Sequence, residues 1–239
     1  IGTQAVALAP ADGYTLLFVA SPFTTVAAAT PLTANYDPVR QFAPVALIAA
    51  GPLVWIANAQ APFGSMREMI AYARANPGKL AYGSAGAGGV NHLALELFKN
   101  RTGTDILHVP YKGIAPATTD LLGGSIMTLT GTIPAVLPHL KSGKARALAV
   151  TGDKRSLLLP DVPTMKETGA NGTEVYNYWG IVAPAGTPAA IVQRLNGEVQ
   201  KFLAQKDVQE RLASDGVDLT PGGPERLAAF IANDYNGWK

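Results

Sequence analysis

Between Leu80 and Phe98 the chain reads LAYGSAGAGGVNHLALELF, with a short apolar run, a cluster of glycines and an amphipathic run in that order. A strand, a glycine-rich turn and a helix start in this sequence make a natural seat for an anion. Glycine lets the backbone come close to a ligand, and the first N–H groups of a helix, with its dipole, favour a carboxylate or phosphate. Ser84, Gly86, Ala87, Gly88 and Gly89 are the candidate contacts, Ser84 adding a hydroxyl at the strand's end. The competing reading is a tight turn whose glycines serve backbone angles alone. Nucleotide templates fail on spacing. Gly89-Val90-Asn91 follows Gly86-Ala87-Gly88, so the third glycine of G-x-G-x-x-G is missing, and no lysine follows Gly88 as a P-loop requires.

Other chemistry is sparse. There is no G-x-S-x-G elbow and no cysteine, and His92, His108 and His139 stand singly without metal-ligand spacing. The histidines read as packing or hydrogen-bonding residues, and Asp120 and Glu96 as helix-surface charges. No cofactor or metal is called for.

The elements that must hold the turn alternate between strand-like and helical patterns, as βαβ units do. Strands are expected at 15–20, 45–49, 53–57, 80–84, 106–111, 126–130, 145–151 and 180–183, mostly apolar on both faces as in buried parallel sheets. Met66, Met69, Ile70 and Ala73 make one helical stripe, with Ser65 and Glu68 as a capping box and Asn76-Pro77-Gly78 as a stop. A second helix follows Thr187 as N-cap and Pro188 in the first turn, with Ile191, Leu195, Val199 and Phe202 as its apolar face. Further helices are expected at 207–213 and 224–233, and Ile1–Ala7 reads as the middle of another.

Hydrophobic residues make up 48% and charged residues 15% of the 239, which fits a well-packed α/β protein of one or two domains and excludes a disordered chain. The net charge of +2 is scattered, so no basic stripe offers itself to nucleic acid. No apolar run reaches the ~18 residues of a membrane span.

Six phrases then occur in one order: ADGYTLL from Ala11, YDPVRQFAPV from Tyr36, NPGKL from Asn76, HVPYKG from His108, GKARALAVT from Gly143 and WGIVAPAGTP from Trp179. Together they resemble the Bug family, the extracytoplasmic solute receptors of tripartite tricarboxylate transporters, over essentially the whole chain. The resemblance implies an α/β fold of the periplasmic binding protein type II kind, with two lobes of mostly parallel sheets joined by crossing strands. Lobe 1 would hold residues 1–56 and 175–239, and lobe 2 residues 57–174. It implies a periplasmic, monomeric receptor, not itself membrane-spanning. Such a receptor captures a small di-, tri- or aromatic carboxylate for the membrane permease subunits of the transporter. A ligand-presenting sensory receptor and an enzyme acting on an acyl substrate are the alternatives.

By the same resemblance, Ser21, Pro22 and Phe23 match a ligand-contacting loop, and Thr130 and Gly131 match another. The family's opening strand and Pro-Gly-Gly loop are expected to precede Ile1, leaving an apolar patch where that strand would pack. Gly89 stands where the family commonly has Ser, and Thr130-Gly131 where many members have an apolar residue followed by Asp. Loss of that acid argues against an amino-acid ligand, whose ammonium needs an anionic partner.

Overall fold

The computed structural model describes residues 2–214, 217 and 219–239. The apolar runs become β1 (Leu17–Ala20), β2 (Phe42–Asn58), β3 (Ala81–Ser84), β4 (Leu107–Pro110), β5 (Thr128–Thr132), β6 (Ala145–Val150), β7 (Tyr176–Pro184) and β8 (Leu219–Gly222). The helices are α1 (Gly2–Ala7), α2 (Pro22–Ala29), α3 (Pro31–Ala34), α4 (Met66–Ala75), α5 (Val90–Thr102), α6 (Ile114–Gly123), α7 (Ile133–Lys141), α8 (Ala189–Leu203), α9 (Lys206–Ser214) and α10 (Pro224–Gly237). Two compact units result, one of Ile1–Ala50 with Asn177–Lys239 and one of Gly51–Tyr176. The sequence-based boundaries at 56/57 and 174/175 lie close by, inside β2 and just ahead of β7.

The strands expected at 45–49 and 53–57 are one 17-residue strand, β2, running through Gly51-Pro52. The missing N–H of Pro52 falls between the stretch of β2 paired with β8 and the stretch paired with β5 and β6, so it removes no bond from those ladders. The mixed α/β class holds, but strand direction is more varied than the expected mostly parallel sheets. β3 runs parallel to β4 and β5, whereas β2 is antiparallel to β5, β6 and β8, and β1 is antiparallel to β7. The parallel set is the one made by βαβ crossovers, since α5 links β3 to β4 and α6 links β4 to β5.

In the Gly51–Tyr176 unit the strand order is β6-β2-β5-β3-β4. Its core is built on Trp55, Tyr82, Phe98, Leu95, Met66 and Met69, and the Trp55 indole N–H donates to Thr128 Oγ1 at 2.6 Å. The methionines come from α4, whose Ser65 Oγ accepts from Glu68 N–H as a capping residue does. The return bond of the capping box goes elsewhere: Glu68 Oε2 accepts from Gly64 N–H at 2.6 Å rather than from Ser65.

In the other unit Phe23, Phe42, Tyr178, Val182, Leu227 and Ile231 form the core. The face of α8 matches the sequence reading at Leu195 and Val199 but not at Phe202. Val192 and Leu203 are buried, with Leu195 and Val199 packed on Val45, Ala46 and Ala183, while Phe202 is 55% exposed. Thr187 does not cap this helix, because its hydroxyl donates back to Pro184 O at 2.8 Å and Pro188 takes the N-cap position. At β1, Phe18 is 62% exposed and lines a groove of about 610 Å³ with Leu17, Phe23 and Tyr36 and the polar Gln4 and Asn35. Among the described residues no helix is long and apolar enough to cross a membrane.

Candidate functional site

The turn after β3 takes the shape its glycines permit. Gly86 has φ +141° and Gly88 φ +77°, conformations that side chains rarely adopt, and Gly89 is the N-cap of α5 in extended backbone. No side chain caps α5, so its leading N–H groups are served by no residue of the kind that closes α4. A Cβ at Gly89 would meet Gly86 O at 3.6 Å, an ordinary contact, so a larger residue fits there.

Ser84 closes β3 fully buried. Its hydroxyl lies 2.6 Å from His108 Nε2 and 3.2 Å from both Gly86 N and Gly86 O, which holds the turn closed on itself. Behind the turn a polar network ties three elements together. Asn91, in the first turn of α5, donates from Nδ2 to Thr130 O at 2.6 Å and to Thr130 Oγ1 at 3.1 Å. The Tyr82 hydroxyl donates to Asn91 O at 2.8 Å and lies 2.5 Å from Thr130 Oγ1. Burial holds the Tyr82 phenol well above its ordinary pKa, so it stays a neutral donor.

Thr130 lies beside the start of α5, buried and with its hydroxyl engaged by Tyr82 and Asn91. Gly131 is next to it on β5, and a Cβ there would lie 2.5 Å from Val136 Cγ1 of α7. The glycine and the valine are therefore coupled: an acid at 131 has no room while Val136 stands.

Two histidines that stand singly in sequence meet in space. His92 and His108 stack at 4.1 Å between centroids and 19° between planes, and His92 Nδ1 accepts from Gly88 N–H at 3.1 Å. Burial lowers the pKa of both rings, and His92 lowers that of His108 further. They make no metal centre; among the described residues no group of His, Cys, Asp or Glu is placed to hold a cation. Asp120 is also more than a surface charge, since Tyr111 donates to its Oδ2 at 2.7 Å. Burial and this bond raise the Tyr111 pKa to about 12. Glu96 does keep to the helix surface, paired with Lys99 at 3.0 Å.

Ser21, Pro22 and Phe23 belong to the other unit and form a helix start rather than a loop. Ser21 sits at the N-cap of α2, its Oγ accepting from Tyr178 N–H at 3.1 Å. Pro22 is exposed in the first turn, while Phe23 is buried against Tyr36 and Phe42. One turn in, Thr25 Oγ1 is buried with no hydrogen-bond partner among the described residues. The sequence reading missed Thr25, Tyr82 and Asn91. The first turns of α2 and α5 carried the available signal, because polar residues at those positions either bond inward or face what the helix start binds.

Fold and site together define a two-unit α/β protein with a glycine-built helix start that no side chain caps. The family model for the tripartite tricarboxylate transporter family receptor matches residues 1–239. The chain belongs to that family, and it is a solute-binding receptor of the Bug type rather than an enzyme. It is 37% identical to the UPF0065 protein in the tcbD-tcbE intergenic region of Pseudomonas sp. strain P51, covering 100% of this chain and 71% of that one. It is also 37% identical to protein BugT of Bordetella pertussis, covering 100% of this chain and 73% of that one. Among solved structures it is similar to R. palustris Rpa4515 with adipate, at TM-score 0.91 and 36% identity over 99% of this chain and 79% of that one. MatC of Rhodopseudomonas palustris with bound malate matches at TM-score 0.89 and 30% identity, over 99% of this chain and 82% of that one.

Proposed function

We propose that this receptor binds a small aliphatic dicarboxylate, with one carboxylate seated on the turn Ser84–Gly89, and delivers it in the periplasm to the permease subunits of a tripartite tricarboxylate transporter. The observation that carries the reading is the start of α5, where Gly86, Gly88 and Gly89 bring backbone close and no side chain caps the helix. Such a terminus favours a carboxylate through its N–H groups and dipole. The adipate and malate in two similar structures support the same ligand class. Ser21, Pro22 and Phe23 are proposed as further contacts, to which the Thr25 hydroxyl, without a hydrogen-bond partner among the described residues, is a natural addition. Ser84, Thr130 and Gly131 are proposed to act mainly by shaping the turn, since the two hydroxyls are already engaged inside the protein.

A thermal-shift screen with adipate, malate, citrate and benzoate, and with amino acids as controls, tests this. A ligand at a hundred times its Kd stabilises the native state by about 2.7 kcal/mol. A rise in melting temperature with dicarboxylates and none with amino acids is expected. A rise with amino acids alone would overturn the reading.

A further inference from the structure

The two stacked rings touch the turn at both ends. His108 reaches Ser84 at the strand end and His92 reaches Gly88 at the helix end. The two contacts respond differently to a proton. Gly88 N–H has only a donor to offer, so His92 Nδ1 must carry a lone pair, which puts the ring proton on Nε2 toward Glu96 Oε1 at 3.9 Å. Protonating His92 places a second donor on Nδ1, facing the Gly88 donor. The His108 contact survives protonation, because Nε2–H can donate to Ser84 Oγ, which donates onward to Gly86 O. His92 is therefore the sensitive half of the clamp.

We propose that His92 and His108 are positioning residues for the Ser84–Gly89 turn, and that His92 must be neutral for the turn to keep its shape. The groups facing the pair are Glu96 and Lys99 on α5 and Ser84 at the end of β3. Burial opposes the charged form of both rings, Glu96 favours it and Lys99 opposes it, and at His108 the stacked His92 opposes it further. Resting on the reading of this turn as the carboxylate seat, the clamp makes ligand affinity fall on acidification. An added imidazolium also attracts an anion, but at a partly exposed, screened ring that gain is smaller than the loss of a formed amide contact.

The test uses the ligand-free 239-residue chain first. Nitrogen-15 NMR from pH 8 to 5 follows the Gly88 amide and the His92 ring in the wild type, in His92→Asn, whose Oδ1 replaces the Nδ1 acceptor without titrating, and in His92→Phe, which stacks but accepts nothing. The Gly88 amide shift is expected to move with the midpoint of His92 in the wild type, to stay at its bonded value in the Asn variant and at its released value in the Phe variant. A Gly88 amide indifferent to His92 titration overturns the proposal. Adipate calorimetry then compares wild type with His92→Asn at each pH, a ratio that cancels the ligand's own titration. That ratio is expected to fall about fivefold across the titration, the worth of one hydrogen bond. A flat ratio with bound adipate overturns the link to affinity. If no carboxylate binds at any pH while Gly88 tracks His92, the ligand reading fails and the clamp stands.

Discussion

Replacing Asn91 by Ala cuts the network that fastens the start of α5 to β5. The side chain is buried and its amide makes two bonds, at 2.6 Å to Thr130 O and 3.1 Å to Thr130 Oγ1. Each such bond is worth about 1 kcal/mol net, and stranding a buried acceptor costs about 1 to 3 kcal/mol. Against this, Ala is the better helix former by roughly 0.5 kcal/mol. The balance is a loss of about 2 kcal/mol, which for a chain of this size lowers the melting temperature by about 4 to 8 °C. The turn also loses its brace, so under the proposed function adipate affinity is expected to drop in the same variant. Differential scanning fluorimetry with and without adipate reads both effects, and Asn91→Asp serves as the sharper control, since it sets a carboxylate against the Thr130 carbonyl. An Asn91→Ala protein that melts within 1 °C of wild type would refute the claim that this network holds α5.

Three further outcomes follow from the same geometry. Gly131→Asp is expected to destabilise by about 1 to 3 kcal/mol through overpacking against Val136, and adding Val136→Ala is expected to recover most of it, as urea denaturation of the single and double variants would reveal. Gly89→Ser fits its backbone and space, and the added hydroxyl at the N-cap is expected to change stability by only a few tenths of a kcal/mol while altering carboxylate affinity, which calorimetry would measure. For pH, the half-buried His92 and His108 have folded pKa values below their ordinary one, so the unfolded chain binds more protons and stability rises with pH through that window. The melting temperature of the wild type is expected to fall as pH drops below about 6.5, and by less in His92→Asn; an equal fall in both would contradict the burial argument.

Much of the local structure was legible because short-range rules set it. The glycines at 86 and 88 announce backbone angles that other residues avoid, and the helix of Met66–Ala75 follows from its stripe and its Ser65 cap. Boundaries erred where partners from afar decided. Gly51-Pro52 looks like a break, yet β2 runs through it because its two halves pair with different strands. Phe202 looked like part of the α8 face, but while Leu195 and Val199 of that face pack on Val45, Ala46 and Ala183, the end of the helix buries Leu203 and leaves Phe202 exposed.

The sequence by itself determined the family, through ordered phrases along the whole chain, and the place of the glycine-rich turn, because both are written in consecutive residues. Only the tertiary structure decided what holds that turn. The parallel register that sets Tyr82 against His108 brings β4's histidine next to the strand end, where it stacks on His92 from α5 and meets Ser84. The bond from Asn91 to Thr130 likewise spans elements far apart in sequence. Spacing along a chain encodes helix and strand periods, whereas the meeting of side chains from different elements depends on strand order and register, which are settled only when the whole sheet assembles.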